Sequence, residues 1–271
     1  MKNPLLPPWK SAKSVFITLV SKEAGTAGTA RALSGVLAKH DSEIVKYLQQ
    51  LDDLGQQFDK TSRTTPVPAV EKIVTAFSVA KTQLSPKLKL LHTELENAIQ
   101  QTKTQDLIDS PKLKEVLLRG LKVLKTTLDS LGKTADAELI AMRLNLANWQ
   151  KELDTNEHLA KTLQVNLRST VSRGLAAVQR LKADPTPATY NKVVKDAARD
   201  VSAQLTAVRQ LAKAQVKFSG PTDPTALATA LKPFATGDLM SIAPTTTKVR
   251  ILELASQLNQ AVKAVKAAYG V

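Results

Sequence analysis

The stretch that decides the fold is Leu113–Leu153, "LKEVLLRGLKVLKTTLDSLGKTADAELIAMRLNLANWQKEL". Leu113, Leu117, Leu121, Leu124, Leu128, Leu131, Ala135, Met142, Leu146, Trp149 and Leu153 recur at three, four or seven residues. That interval matches the helical turn and predicts one buried stripe along one long helix. After a polar interval the phase resumes at Ala160, Leu163, Leu167, Val171, Val178 and Leu181. Unbroken, this helix covers about 70 residues, or about 105 Å at the helical rise. Gly132 falls inside it, but the phase continues across the glycine, which favours continuity.

The same period extends outward in both directions. Upstream, Leu33, Leu37, Ile44, Leu48, Leu51 and Phe58 form one stripe, and Val70, Ile73, Phe77, Ala80 and Leu84 another. Leu88, Leu91, Leu95 and Ala98 follow Pro86. Downstream, Tyr190, Val194, Ala197, Val201, Leu205, Val208 and Leu211 predict one helix over about 188–218, and Ile251, Leu254, Leu258, Val262, Val265 and Tyr269 a last one. The intervening stretch holds Gly220, Pro221, Pro224, Pro233, Gly237 and Pro244, a connector with one short helix. No run alternates with period two. The expected fold is all-α, an elongated antiparallel bundle of five or six helices with long coiled-coil-like members. The expected parts are an N-terminal extension or docking arm over 1–26, the long-helix bundle over 27–218, the connector over 219–247, and a packing helix over 248–271.

Two copies of Ser-Pro-Lys-Leu-Lys, at Ser85–Lys89 and Ser110–Lys114, raise the question of a basic nucleic-acid-binding tail. Such a tail would be lysine-rich and lack leucine stripes. Each copy instead stands directly before an apolar stripe, as do Thr186-Pro187 and Asp223-Pro224, with Thr65-Pro66 close to one. Ser, Thr and Asp accept bonds from free first-turn amides, and proline is tolerated at the first helical position. All five sites are therefore expected to be helix starts.

Composition excludes several chemistries. The absence of cysteine rules out disulfides, thiolate catalysis and cysteine-ligated metals. His40, His92 and His158 are far apart, and none belongs to a His-Glu-x-x-His or Glu-x-x-His pattern. His40 falls near a buried stripe, where a satisfied structural histidine is expected. His92 and Glu96 pair across one turn. No phosphate-binding glycine loop is present, and "EAGTAGTA" at Glu23–Ala30 lacks the lysine such a loop needs. The chain is expected to be non-enzymatic, with no catalytic residues, metal, cofactor or small-molecule substrate.

The net charge of +14 is the strongest functional signal. Residues 1–110 carry 14 basic and 11 acidic side chains, whereas residues 111–271 carry 24 and 13. On the helix expected over 188–218, Lys192, Lys195, Arg199, Ser202, Thr206, Arg209, Lys213 and Lys217 step by three or four opposite the apolar stripe. Six of these eight are basic and none is acidic, a candidate rail for a polyanion. Arg119, Lys122 and Lys133 form a parallel cluster. Leu5, Leu6 and Trp9, stiffened by Pro4, Pro7 and Pro8, are candidates to anchor in a neighbouring subunit.

The expected function is a structural or scaffolding subunit that self-associates or joins other protein subunits, its basic face on an anionic partner. The alternatives are a sequence-nonspecific nucleic-acid binder and, behind it, a bundle on an anionic membrane surface. No zinc finger, basic zipper or compact helix-turn-helix pattern supports specific DNA reading. Val15–Val20 is too short an apolar run for a signal peptide or a spanning helix, so a cytoplasmic protein, or one packaged from the cytoplasm, is expected.

Overall fold

The computed structural model describes residues 4–23, 27–102, 111–221, 223–235, 239 and 241–271. The fold is an all-α helical bundle, with no strand among the described residues. Its helices are α1 (Leu6–Glu23), α2 (Ala27–Asp59), α3 (Val67–Thr102), α4 (Pro111–Ala183), α5 (Pro187–Ala197), α6 (Val201–Lys213), α7 (Pro224–Ala235) and α8 (Lys248–Tyr269). The chain divides into two compact units, residues 1–148 and 149–271. The long helix α4 passes through Gly132 without a break and contributes to both.

In the first unit, α2, α3 and the first part of α4 run antiparallel. On α2, His40 and Glu43 meet Glu94 and Lys87 of α3, so one helix descends as the other climbs. On α3, Lys81 and Ser78 meet Asp136 and Arg143 of α4 in the same reversed order. The stripes named above form the core: Leu37, Ile44, Leu48, Phe77, Leu91, Leu117 and Leu124 are all buried. Burying one such side chain is worth about 1.5–3 kcal/mol, so packing rather than local propensity holds the helices.

The N-terminal helix α1 shows what the prolines of "MKNPLLPPWK" do. Pro7 and Pro8 occupy its first turn, where amides have no acceptor within the helix and proline loses nothing. Leu5, Trp9, Ala12, Phe16 and Val20 then share one buried face. The carboxylate of Asp52, itself buried, accepts from the amides of Leu5 at 2.7 Å and Leu6 at 3.0 Å, capping α1 from outside. Asp41 accepts from Trp9 Nε1 at 2.9 Å and from Lys13 Nζ at 2.6 Å. Leu5, Leu6 and Trp9 are thus seated in the chain's own first core.

Four of the proline-marked helix starts are seen in full or in part. Thr186 is the N-cap of α5, its side chain accepting from the Thr189 amide, with Pro187 following. Asp223 accepts from the amides of Thr225 and Ala226 at 2.9 Å each, directly before α7. Pro111 is the first residue of α4, whereas Ser110 lies outside the described residues. Pro66 stands just before α3, its carbonyl accepting from Ala69 and Val70.

Ser85-Pro86 is a correction. It lies inside α3 and starts no helix. The Ser85 hydroxyl donates back to the Lys81 carbonyl at 3.2 Å. An interior proline costs about 3 kcal/mol in a helix. Leu84, Leu88, Leu91 and Leu95, buried on both sides of it, outweigh that penalty. Lys87 of the same string bonds Glu43 at 2.7 Å and holds that carboxyl below the ordinary carboxylate range.

The second unit packs α5 to α8 against the later part of α4. Tyr269 donates to the Ala160 carbonyl at 2.9 Å, and a Cβ on Gly174 would meet Val262 at 2.4 Å, so α8 lies tightly antiparallel to α4. The connector after α7 is pinned by Asn191, whose side chain donates to the Ile242 carbonyl at 3.1 Å and accepts from the Ile242 amide at 2.8 Å.

Two substitutions probe these devices. Pro86→Ala restores an amide donor to the middle of α3 and is expected to stabilise the first unit by about 1–3 kcal/mol in urea unfolding. Asp52→Ala removes the external cap and is expected to destabilise by about 2–3 kcal/mol, with amide exchange in α1 accelerating before that in α3.

Candidate anion-binding corner

The helix expected over 188–218 is two helices. It breaks after Ala198, and Asp200 adopts a left-handed conformation at φ 65°, ψ 1°. No glycine or proline marks the break, and the apolar phase survives it, so the cause is tertiary. Arg173 of α4 donates through Nη2 to the Arg199 carbonyl at 2.9 Å and to Thr170 Oγ1 at 3.3 Å. Buried Gln204 of α6 donates to the same Thr170 hydroxyl at 2.8 Å. These bonds hold the start of α6 against α4 and fix the corner.

The break divides the eight-residue rail. Lys192 and Lys195 are exposed on α5, Arg199 at the corner, and Arg209 and Lys213 on α6, while Lys217 lies beyond the end of α6. Arg199 bonds Asp196 at 2.8 Å. Among the described residues, no carboxylate lies within ion-pair distance of Lys192, Lys195, Arg209, Lys213 or Lys217. Arg119, Lys122 and Lys133 are exposed on α4 in the first unit and line no part of this corner.

Two cavities flank the C-terminal end of α5. One, of about 660 Å³, is lined by Asn191, Val194, Lys195, Asp196, Arg199 and Ser241. The other, of about 220 Å³, is lined by Arg173, Arg180, Arg199, Asp196 and the small side chains of Ala176, Ala177 and Val193. Arg173 and Arg180 were not among the residues singled out from the sequence. The signal available was "RGLAAVQR" at Arg173–Arg180, two arginines two turns apart with alanines between them. Only the fold brings Arg199 to the same hollow.

His40 is buried, its Nε2 2.9 Å from Glu94, and bonds from His40 and Lys39 hold the Glu94 carboxyl below its ordinary range. His92 and Glu96 approach to 3.4 Å across one turn. Among the described residues, no three potential metal ligands cluster. A groove of about 970 Å³ between α7 and α8 has six alanines in its lining. Its one charged residue, Asp223, already serves as the cap of α7. Comparison of the chain with protein-family models, curated proteins and solved structures found no match.

The left-handed Asp200 supplies a test of the corner. Asp200→Gly is expected to be neutral or stabilising by up to about 1 kcal/mol in urea unfolding, because glycine adopts this conformation without strain. Asp200→Val is expected to destabilise by about 1–3 kcal/mol.

Proposed function

We propose that this protein is a non-enzymatic helical subunit of a larger assembly, made in the cytoplasm, and that its second unit holds an anionic partner. The observation that carries this reading is the set of five exposed cations, Lys192, Lys195, Arg209, Lys213 and Lys217, without carboxylate partners among the described residues. Solvated helix faces ordinarily interleave both signs of charge, and one-signed surfaces attract polyanions. Exposed apolar side chains support the assembly part of the reading. Ile140 and Leu144, one turn apart on α4, are 66% and 62% exposed, a surface another protein subunit or a second copy would cover.

The alternative is a nonspecific nucleic-acid binder, favoured by the net charge of +14. A membrane-surface role has less support. No described helix is long and apolar enough to cross a membrane, and the cations accompany no exposed aromatic wedge.

Reversing Lys192, Lys195, Arg209, Lys213 and Lys217 to glutamate is expected to abolish salt-sensitive retention on heparin while leaving the helical circular dichroism unchanged. The same number of reversals in the first unit, at Lys114, Arg119, Lys122, Lys125 and Lys133, is expected to leave most of the retention intact. Light scattering on a sizing column, with absorbance at 260 and 280 nm, separates the two readings. A salt-resistant mass of several subunits with a protein spectrum supports the structural subunit. A nucleic-acid spectrum stripped by salt supports the alternative.

A further inference from the structure

We infer that the hollow between α4 and the end of α5 is a binding site for one phosphoryl group, a dianionic phosphomonoester held by Arg173, Arg180 and Arg199. The inference rests on the anion-binding reading of the second unit, and it does not depend on which macromolecule the exposed lysines meet.

Shape is the first support. At about 220 Å³ the hollow takes the volume of about seven waters, enough for one tetrahedral oxyanion and too little for a running backbone. Ala176, Ala177 and Val193 also line it, side chains short enough to leave the space between the arginines open. Arg173 and Arg180 lie two turns apart, about 10.5 Å along α4, and Arg199 stands on the opposing wall. Three planar forks therefore border one recess from two sides. Guanidinium forks meet phosphate oxygens in paired, charge-assisted bonds.

Preorganisation is the second support. Arg173 is anchored by its bonds to Thr170 and the Arg199 carbonyl, so its side chain needs little ordering when a ligand arrives. Its Nε–H is buried and meets no acceptor among the described residues. Arg180 is exposed and has no ion-pair partner among the described residues. Two carboxylates oppose the anion. Asp196 lines the hollow and bonds Arg199 at 2.8 Å, and Asp200 lies 3.8 Å from Arg173. A dianion displaces Asp196 from Arg199 more readily than a monoanion does, which is why a phosphomonoester is preferred to a diester.

The test is a titration of the full chain with glycerol 2-phosphate at ionic strength held constant with chloride, followed by arginine Nε–H resonances assigned through single Arg→Met variants. The expected result is saturable movement of the Arg173, Arg180 and Arg199 signals. Arg180→Met, which breaks no bond described here, is expected to weaken binding about ten-fold or more, and Arg180→Lys less. Asp196→Asn is expected to tighten it about three- to ten-fold by removing the opposing charge. A purely structural arginine cluster would give no such gain. A non-saturating response, equal binding by Arg180→Met, or weaker binding by Asp196→Asn overturns the site. Equal affinity for dimethyl phosphate or for a short single-stranded DNA overturns the monoester assignment. The five-residue glutamate reversal distinguishes the two levels. Phosphate binding that survives while heparin retention persists in that variant sinks the functional reading alone; phosphate binding equal in the native chain and in Arg180→Met, with heparin retention abolished by the reversal as expected, sinks the site alone.

Discussion

The structure depends on burial of one apolar stripe along α4. Leu117, Leu124, Leu131 and Met142 enter the first core, and Leu163, Leu167, Val178 and Leu181 the second. A helix of 73 residues is not held by propensity, which contributes tenths of a kilocalorie per residue. Each buried leucine contributes several times that amount. The polar interval near Asp154–Asn156 interrupts the stripe but not the helix, because backbone bonds and the flanking stripes carry it across. Whatever packs on α4 must match its period, so α3 and α8 repeat the same spacing in the antiparallel sense.

Proline placement shows how position decides the energy of one residue type. In the first turns of α1, α4, α5 and α7 it removes amides that have no helical acceptor, and it loses nothing there. In the middle of α3, Pro86 removes a bond that would otherwise form, and the leucines around it keep the helix intact. The two Ser-Pro-Lys-Leu-Lys strings therefore have different structural roles with identical local chemistry. Asp52 extends the same logic to tertiary structure, because a buried carboxylate on α2 caps a helix that it does not belong to.

The corner between α5 and α6 joins stability to proposed function. Arg173 satisfies a carbonyl released by the break, and the same guanidinium borders the hollow where Arg180 and Arg199 converge. A residue that fastens a corner is also held still, and stillness favours ligand recognition over solvation. The strained Asp200 beside it is sustained by those surrounding bonds.

By itself, the sequence determined the all-α class, most core positions, and the capping roles of Thr186 and Asp223, and it favoured a long α4 whose continuity through Gly132 the structure decided. These are legible because burial imposes a period on neighbouring residues and because caps are local. It also pointed to an excess of exposed cations at Lys192, Lys195, Arg209 and Lys213. Tertiary structure alone decided that Trp9 and Leu5 pack as a helix face, that Pro86 sits within a helix, and that the 188–218 segment breaks at Asp200. Each outcome turns on partners far along the chain: Asp52 and Asp41 for α1, the surrounding leucine core for Pro86, and Arg173 with Thr170 for the corner. The grouping of Arg173, Arg180 and Arg199 was illegible for the same reason, since periodicity records which side of a helix is buried and says nothing of which helix it meets.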